Sequence, residues 1–507
     1  MARVRKSIIG LLVKISPDLV RMRDLTDTAL EICRSEGATY ADIRFVTVRD
    51  EDISVKDGNI DVLSLSVVRG FGIRAIANGG WGFAGSHDIS KNEIKETAKL
   101  AVRIAKASGS TRKEPVRLVE SQSVEDDYKT RVKQDPFEAP IEEKLEILTE
   151  VDKRLGTQDD SIKVRRADFR AHSEEKTFAS LEGAYITQEI VWCGGGFSCV
   201  AIAPGVPPQT RSFPGSFRGD FSASGYEYFK NLDLLENVDA VAREAVALTQ
   251  AAACPSEETT LLLDGHQLML QIHESCGHPT ELDRALGTEA AYAGTSFMTT
   301  DLLGTLRYGS EDVTFTADST LEGGLGTFGY DDEGVKARRV ELVRNGIFVG
   351  YQSSRETAAQ VGLESSSGGM RADSPQRIPL IRMGNINLDP SGWKHSDIIE
   401  DTKRGILMST NKSWSIDDKR LNFQFGTEIA WEVVNGELGR IFRNPTYTGI
   451  TPEFWGGLDA SSSDDWRLWG TPNCGKGQPS QIMSVGHGCG TARFRNVKVG
   501  IVKEEAS

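Results

Sequence analysis

Four Asx-Gly dipeptides, each lying between segments that alternate apolar and polar residues, constrain the fold of this chain most strongly. They are Asp57-Gly58, Asn78-Gly79, Asn345-Gly346 and Asn435-Gly436. Tight hairpin turns need positive φ angles, which Asn, Asp and Gly adopt most readily, so each dipeptide predicts an antiparallel hairpin. A doubly wound parallel sheet connects its strands through helices instead. The sequence therefore predicts an α+β fold with antiparallel strands.

Helical periodicity and the hairpins together predict two domains. Residues 24–254 form an N-terminal α/β domain of two helix-plus-strands units. Residues 108–136 are expected to be a long loop, and residues 164–169 and 178–192 are expected to be the strands of the second unit. The domain boundary follows at Cys254-Pro255-Ser256, because proline and small polar residues come after a completed amphipathic helix. Residues 255–507 form a mostly β C-terminal domain, and residues 1–23 are predicted to be a leader, disordered or loosely attached.

Composition excludes several classes of function. The 507 residues carry 59 Lys and Arg against 73 Asp and Glu, a formal charge of −14, which argues against a nucleic-acid ligand. No apolar run reaches the ~18–20 residues needed to span a bilayer, so we expect no membrane association. The seven cysteines are odd in number and scattered, which indicates a reducing compartment, the cytoplasm, rather than a disulfide framework.

The candidate site begins with the string His273-Glu274-Ser275-Cys276-Gly277-His278. On an ideal helix, histidines five residues apart lie about 140° apart around the axis, too far to bind one metal ion. A π-type bulge of one residue restores a common face, and such bulges concentrate at functional sites. Gly277 is the residue type that tolerates the distortion, and Pro279 ends the regular helix. The alternative is a pair of structural histidines at a helix end.

A catalytic zinc takes three protein ligands and keeps a fourth position open, so a third ligand is needed. The candidates are Cys276, Glu281, Asp283, Cys474, His487 and Cys489. Cys474 stands in what reads as a tight Gly-flanked loop, residues 472–478, and the nearby Lys476 is expected to favour the thiolate. An isolated cysteine is more often a small buried apolar residue, and the residues alone leave the choice open.

Two other patterns suggest different chemistry. Residues 324–329 match G-x-G-x-x-G, but Asp331-Asp332-Glu333-Gly334 follows where a dinucleotide site needs a helix, so we interpret them as a flexible loop. Cys276 beside His278 suggests a thiol nucleophile. That reading leaves Glu274 unexplained, and neighbours in sequence rarely form a base–nucleophile pair.

From about Leu25 to Val502, the chain resembles the TldD branch of the TldD/PmbA family of metallopeptidases. Four stretches carry the resemblance: residues 38–44, Gly79 to Phe83, His273 to Gly287, and Pro472 to Gln478 followed by His487-Gly488. The resemblance implies that His273, His278 and Cys474 hold the metal and that Glu274 is the catalytic carboxylate. It makes residues 255–507 a metallopeptidase domain that carries a metal-binding helix.

The resemblance also implies a cytoplasmic enzyme that acts on unfolded or small peptides and that pairs with a PmbA/TldE-like subunit or with itself. The cofactor would be one divalent ion, zinc or iron, since imidazole and thiolate serve both. Glu274 would act as general base on a metal-activated water. The competing hypothesis is a non-catalytic peptide-binding or scaffold subunit whose metal is structural, with Cys276, His487 or Cys489 as the fourth ligand.

Overall fold

A computed structural model of the chain describes residues 19–500, and its N-terminal part is built on one eight-stranded sheet. The strand order is β3-β2-β1-β5-β6-β4, with β7 and β8 also paired to β6. The strands are β1 Tyr40–Lys56, β2 Asn59–Ala77, β3 Gly80–Ser86, β4 Glu125–Lys129, β5 Ile162–Ser180, β6 Tyr185–Ala201, β7 Gln209–Phe213 and β8 Asp220–Ser222. The helices are α1 Leu19–Ser35, α2 Lys91–Gly109, α3 Ile141–Gln158, α4 Tyr226–Lys230 and α5 Leu234–Gln250.

The predicted hairpins of this sheet are present. Asp57-Gly58 joins β1 to β2 and Asn78-Gly79 joins β2 to β3, and all four residues have positive φ angles, between 49° and 83°. Two local predictions were wrong. The expected loop 108–136 contains β4, which adds parallel to β6, and strands expected at 164–169 and 178–192 are two longer strands that turn at residues 181–184. The turn includes Gly183, whose φ of 92° marks a break that the apolar pattern did not show.

The C-terminal part contains two larger sheets. The second sheet has the order β17-β10-β24-β20-β18-β19-β9, with β21 on β24, and a further β17–β18 pairing closes five of its strands into a ring. The third sheet has the order β13-β12-β11-β16-β23-β22, and β14 and β15 form a separate two-stranded sheet. The strands are β9 Ala252–Ala253, β10 Glu257–Leu263, β11 Phe315–Asp318, β12 Arg339–Arg344, β13 Ile347–Phe348, β14 Met370–Arg371, β15 Leu380–Ile381, β16 Asn385–Leu388, β17 Arg404–Ile416, β18 Asn422–Val434, β19 Glu437–Arg443, β20 Thr446–Ile450, β21 Leu458–Ser461, β22 Arg467–Lys476, β23 Gln481–Cys489 and β24 Ala492–Val499.

The helices of this part are short. They are α6 Gly265–Ile272, a π-helical turn His273–Gly277, α7 Leu282–Ala285, a 3₁₀ turn Thr300–Leu302, α8 Arg355–Gln360, α9 His395–Glu400 and α10 Thr451–Gly456. Every residue of α6 and of the π turn is buried. Leu268, Met269 and Ile272 of α6 belong to the apolar core shared with the second and third sheets. The core therefore fixes the helix that carries the His-Glu string.

A buried ion network joins the first sheet to the C-terminal part. Asp332 lies 2.7 Å from Arg44 on β1 and 2.6 Å from Lys176 on β5, measured between charged atoms. Asp332 follows the glycine-rich residues 324–329. As predicted, these glycine-rich residues begin no helix. They are mostly buried, so the prediction that they form a flexible loop was wrong in that respect. The neighbouring Glu333 pairs with Arg74 on β2. The loop thus anchors the two parts of the molecule to each other.

The fold is α+β, and that prediction is confirmed. Of the predicted leader, residues 1–18 lie outside the described residues, and residues 19–23 belong to α1. Among residues 19–500, no helix is both long enough and apolar enough to cross a membrane. All seven cysteines are free thiols.

Candidate metal centre

The π turn at residues 273–277 provides the bulge that the histidine spacing requires. The amide of His278 donates to the carbonyl of His273 at 3.1 Å, a bond that spans five residues instead of four. α6 leads into it from Asp264, whose side chain accepts from the amide of Gln267 and caps the helix. The predicted distortion is therefore confirmed.

Gly277 serves this turn through packing. A Cβ built on Gly277 would lie 2.2 Å from Sδ of Met383, so a larger residue would require the Met383 side chain to shift. The φ angle of Gly277 is not positive. The sequence-based explanation for a glycine here, that it tolerates a distorted backbone, was therefore incomplete. Two carbonyl groups at the end of this turn accept from side chains: the Tyr308 hydroxyl donates to that of Ser275 at 2.8 Å, and the Gln352 amide donates to that of Gly277 at 2.8 Å.

His273, His278 and Cys474 converge in space. One potential ligand atom from each lies within 4.8 Å of the others, and Sγ of Cys474 is 3.8 Å from Nε2 of His278. A tetrahedral zinc with nitrogen and sulfur ligands needs about 3.5 Å between ligand atoms. All three residues are buried, and the set of two imidazoles and a thiol fits zinc or iron.

Both imidazoles are oriented by a second group. Nδ1 of His273 lies 2.9 Å from Nε2 of His487, and Nδ1 of His278 lies 2.9 Å from Oε2 of Glu281. In each case Nε2 is the nitrogen left for a metal ion. Metal-binding histidines commonly use their other ring nitrogen in this way, and such contacts fix the tautomer and the ring plane.

The pKa values of Cys474 and His278 are shifted in the directions that metal binding needs. Burial raises the pKa of the Cys474 thiol, but the charges of His273 and Arg382 outweigh it and hold that pKa well below its ordinary value. Burial keeps the pKa of His278 well below 6.5, so its neutral ring donates from Nδ1 to Glu281 and offers a lone pair at Nε2. Lys476, which was expected to favour the thiolate, does not face it.

Lys476 lies instead at the centre of a buried cluster of carboxylates. Its Nζ is 2.8 Å from Asp283, 3.2 Å from Glu289 and 3.3 Å from Glu281, and it also donates to the carbonyl of Ile381 at 2.6 Å. Burial lowers the pKa of Lys476, but the three carboxylates reverse the shift and raise it. The cluster holds Glu281 in place behind His278.

The remaining candidate ligands do not join the metal group. Glu281 and His487 contact the far nitrogens of the two histidines, and Asp283 bonds Lys476. Cys276 lies in the apolar core and Cys489 donates to the carbonyl of Gly265; burial raises the pKa of both thiols. Cys474 itself lies on β22, beside a bulge between Thr471 and Cys474. The prediction of a tight loop at residues 472–478 was therefore wrong for the residues that belong to β22.

Glu274 faces a residue that sequence reasoning missed. Nη1 of Arg420 donates to Oε2 of Glu274, and the two side chains are only 14% and 7% exposed. Oε1 of Glu274 accepts no hydrogen bond from the described residues. Arg420 lies 146 residues away, in the turn between β17 and β18, and nothing local in the sequence links the two.

Three family sequence models match consecutive parts of the chain. They are described as PmbA/TldA metallopeptidase domain 1, central domain and C-terminal domain, and they cover residues 41–105, 134–253 and 256–501. A metalloprotease of Methanocaldococcus jannaschii is 31% identical over 454 residues, 90% of this chain and 96% of that protein. This chain belongs to the PmbA/TldD metallopeptidase family. The resemblance to the TldD branch is also confirmed, because several relatives of this chain are named TldD homologs.

One of these, a zinc metalloprotease TldD homolog of Saccharolobus solfataricus, is 25% identical over 469 residues, 92% of this chain and 97% of that protein. Among solved structures, TldE from Thermococcus kodakarensis superposes with a TM-score of 0.71 at 19% identity. That match covers 94% of this chain and all of TldE, so the two proteins share a fold over nearly their whole length.

Proposed function

We propose that this member of the PmbA/TldD family is a metal-dependent peptidase that hydrolyses unfolded or small peptides. One observation carries the proposal: potential ligand atoms of the buried residues His273, His278 and Cys474 lie within 4.8 Å of one another, and Glu274 directly follows His273 in the sequence. The names of the relatives, metalloprotease and zinc metalloprotease, support the same reaction class.

His273, His278 and Cys474 would hold one divalent ion, zinc or iron. When bound, such an ion supplies Lewis-acid chemistry: it polarises a carbonyl group and makes a water molecule more acidic. His487 and Glu281 keep the two imidazoles in the tautomer that presents Nε2. The name of the Saccharolobus solfataricus relative favours zinc.

Glu274 would act as the general base and then as the general acid. Its Oε2 is fixed by Arg420, which leaves Oε1 to accept the proton of the attacking water and to deliver it to the leaving amine. Burial of the carboxylate limits competing bulk water.

An extended peptide would bind along β22, the strand that carries Cys474. Among the described residues β22 is a terminal strand of the third sheet, paired there only with β23. Asn473 and Gly475 on either side of the buried Cys474 are exposed, and a Cβ on Gly475 would contact nothing within 4 Å. The Cys474 carbonyl already accepts from Arg382 at 2.6 Å, so a peptide would be bonded by the neighbouring residues of this edge. Main-chain hydrogen bonds to a strand edge hold peptides with little sequence preference, which suits unfolded substrates.

The competing hypothesis, a scaffold with a structural metal, needs a fourth protein ligand. Cys276, His487 and Cys489 were the candidates, and each of them is directed elsewhere. The group formed by the described residues has three members, which supports an open catalytic site over a closed structural one.

A PmbA/TldE-like subunit, or a second copy of the chain, is the proposed partner, in the cytoplasm. The likeness to TldE shows that a TldE-type protein shares this fold, and it supports a pairing of two similar subunits.

The test is peptide cleavage by metal-loaded protein, with metal content measured by elemental analysis. We expect cleavage of unfolded casein and short synthetic peptides, alone or with any co-purified partner. Glu274→Gln should keep its metal and lose turnover, while the exposed control Glu437→Gln should match the wild type. Fully loaded wild type that cleaves nothing in either setting would overturn the proposal in favour of the scaffold.

A further inference from the structure

Arg420 occupies a position that the local backbone does not favour. It lies in the turn of residues 417–421 between β17 and β18, and its φ angle of 66° places a non-glycine residue in the left-handed region. Strained residues of this kind persist where the surrounding structure holds them, and they cluster at functional sites. Here the Arg420 amide donates to the carbonyl of Asp417 at 2.9 Å, and the Thr451 hydroxyl bonds the carbonyl of Arg420 at 2.9 Å.

The same turn is fixed on its other side. The amide of Thr295 donates to the carbonyl of Asp418, and that of Phe297 to the carbonyl of Lys419. The turn is therefore held by hydrogen bonds on both sides, and it delivers one guanidinium group to Glu274. Lys419, its neighbour, points an exposed side chain to solvent.

The guanidinium has hydrogen-bonding capacity that the protein does not use. Nη1 donates to Glu274, whereas Nε is buried and has no partner among the described residues. A buried donor without a partner costs free energy, and several other arginines of the described residues also keep an unpartnered Nε. Arg420 differs in that its guanidinium also meets a candidate catalytic carboxylate, which points to a ligand atom at this group.

The charge of the candidate metal site indicates which kind of ligand atom the Arg420 guanidinium would bind. Two neutral imidazoles and one thiolate leave a divalent site with a net charge of +1, where three imidazoles would leave +2. Such a site stabilises a developing negative charge less well, so a second positive group nearby is useful. A preorganised donor aimed at an oxyanion is commonly worth a factor of about 10²–10³ in kcat.

We infer that Arg420 is a catalytic residue that binds the carbonyl oxygen of the scissile peptide bond and the negative charge that develops on it. In that step the water oxygen forms a bond to the carbonyl carbon, the π pair moves onto the carbonyl oxygen, and the water proton goes to Glu274. When the oxygen pair returns, the C–N bond breaks and Glu274 gives the proton to the amine. Arg420 stays protonated throughout. The inference rests on the proposed function.

The test compares Arg420→Ala, Arg420→Lys and the control Lys419→Ala, all metal-loaded, on a peptide that the wild type cleaves. We expect Arg420→Ala to lose a factor of about 10²–10³ in kcat with little change in KM. Arg420→Lys should retain part of the rate, and Lys419→Ala should match the wild type. Added guanidinium chloride at millimolar concentration should restore activity to Arg420→Ala but not to Glu274→Gln.

A binding measurement supplies the readout beside activity. A peptide phosphonate mimics the tetrahedral anion, and its affinity should fall about as far as kcat in Arg420→Ala, while metal content stays at the wild-type value. If Arg420→Ala keeps wild-type kcat and phosphonate affinity while Glu274→Gln is inactive, the inference about Arg420 fails and the proposed function stands. If the loaded wild type cleaves no peptide, both fail.

Discussion

Nδ1 of His273 lies 2.9 Å from Nε2 of His487, a histidine 214 residues further along the chain. His487 is fully buried on β23, and burial together with the charge of His273 lowers its pKa well below 6.5. A neutral His487 that accepts at Nε2 would hold the proton of His273 on Nδ1 and leave Nε2 of His273 for a metal ion. The first candidate ligand of the metal centre is thus oriented by a residue that sequence reasoning had treated as a possible ligand itself.

Replacing His487 with Phe should weaken metal binding. The ring volume is roughly kept, but His273 loses the group that sets its tautomer, and loss of such a contact typically costs a factor of about 10–100 in affinity. Zinc affinity is measured by competition with a chromophoric chelator. The exposed His87→Phe serves as the control. An affinity within threefold of the wild type for His487→Phe would show that the contact does not tune the metal.

Cys474→Ser should remove the sulfur ligand and lower metal affinity by far more than the His487 variant does. Cobalt substitution tests the ligand directly, because thiolate–cobalt bonding gives an intense near-ultraviolet charge-transfer band. We expect the band in the wild type and in the control Cys489→Ser, whose sulfur bonds the carbonyl of Gly265. A band that persists in Cys474→Ser would assign the thiolate to another cysteine.

Lys476→Met should destabilise the fold and loosen His278. The substitution leaves three buried carboxylates without their shared cation, and breaking a buried ion pair costs about 3–5 kcal/mol. Urea unfolding of the metal-free protein measures the loss, with the exposed Lys163→Met as a control expected to change little. Equal stability of the two variants would mean that the carboxylates are protonated or solvated without Lys476.

The features that follow from neighbouring residues were predictable from the sequence. Asp57-Gly58 and Asn78-Gly79 form hairpins because the two residues of each turn carry the whole conformational requirement. The π turn followed from the spacing of His273 and His278, since no other helical geometry brings both rings to one face. Cys474 needed the family resemblance, because a lone cysteine has no local signature.

The features that depend on tertiary contact were not predictable in the same way. Arg420 reaches Glu274 only through the turn between β17 and β18, and its sequence neighbours show no catalytic pattern. Lys476 was associated with Cys474 because they are close in sequence, yet on a strand the two side chains need not meet, and Nζ of Lys476 binds carboxylates. Sequence proximity is a poor guide where pairing across the fold decides the contact.

Asp332 should make the stability of the whole chain depend on pH. Burial raises its pKa, but Lys176 and Arg44 outweigh burial and lower it from 3.8 to about 2. The ionised carboxylate therefore stabilises the fold above pH 4, and that contribution is lost as the pH falls from 4 toward 2. Asp332→Asn should lower the free energy of unfolding by about 3–5 kcal/mol at pH 7, and this loss, measured by urea unfolding, should shrink below pH 4.

The exposed pair Arg339–Asp389 gives the control, Asp389→Asn, with an expected cost below about 1 kcal/mol. A deficit that stays constant from pH 7 to pH 3 would show that the charge of Asp332 is not what joins the two parts.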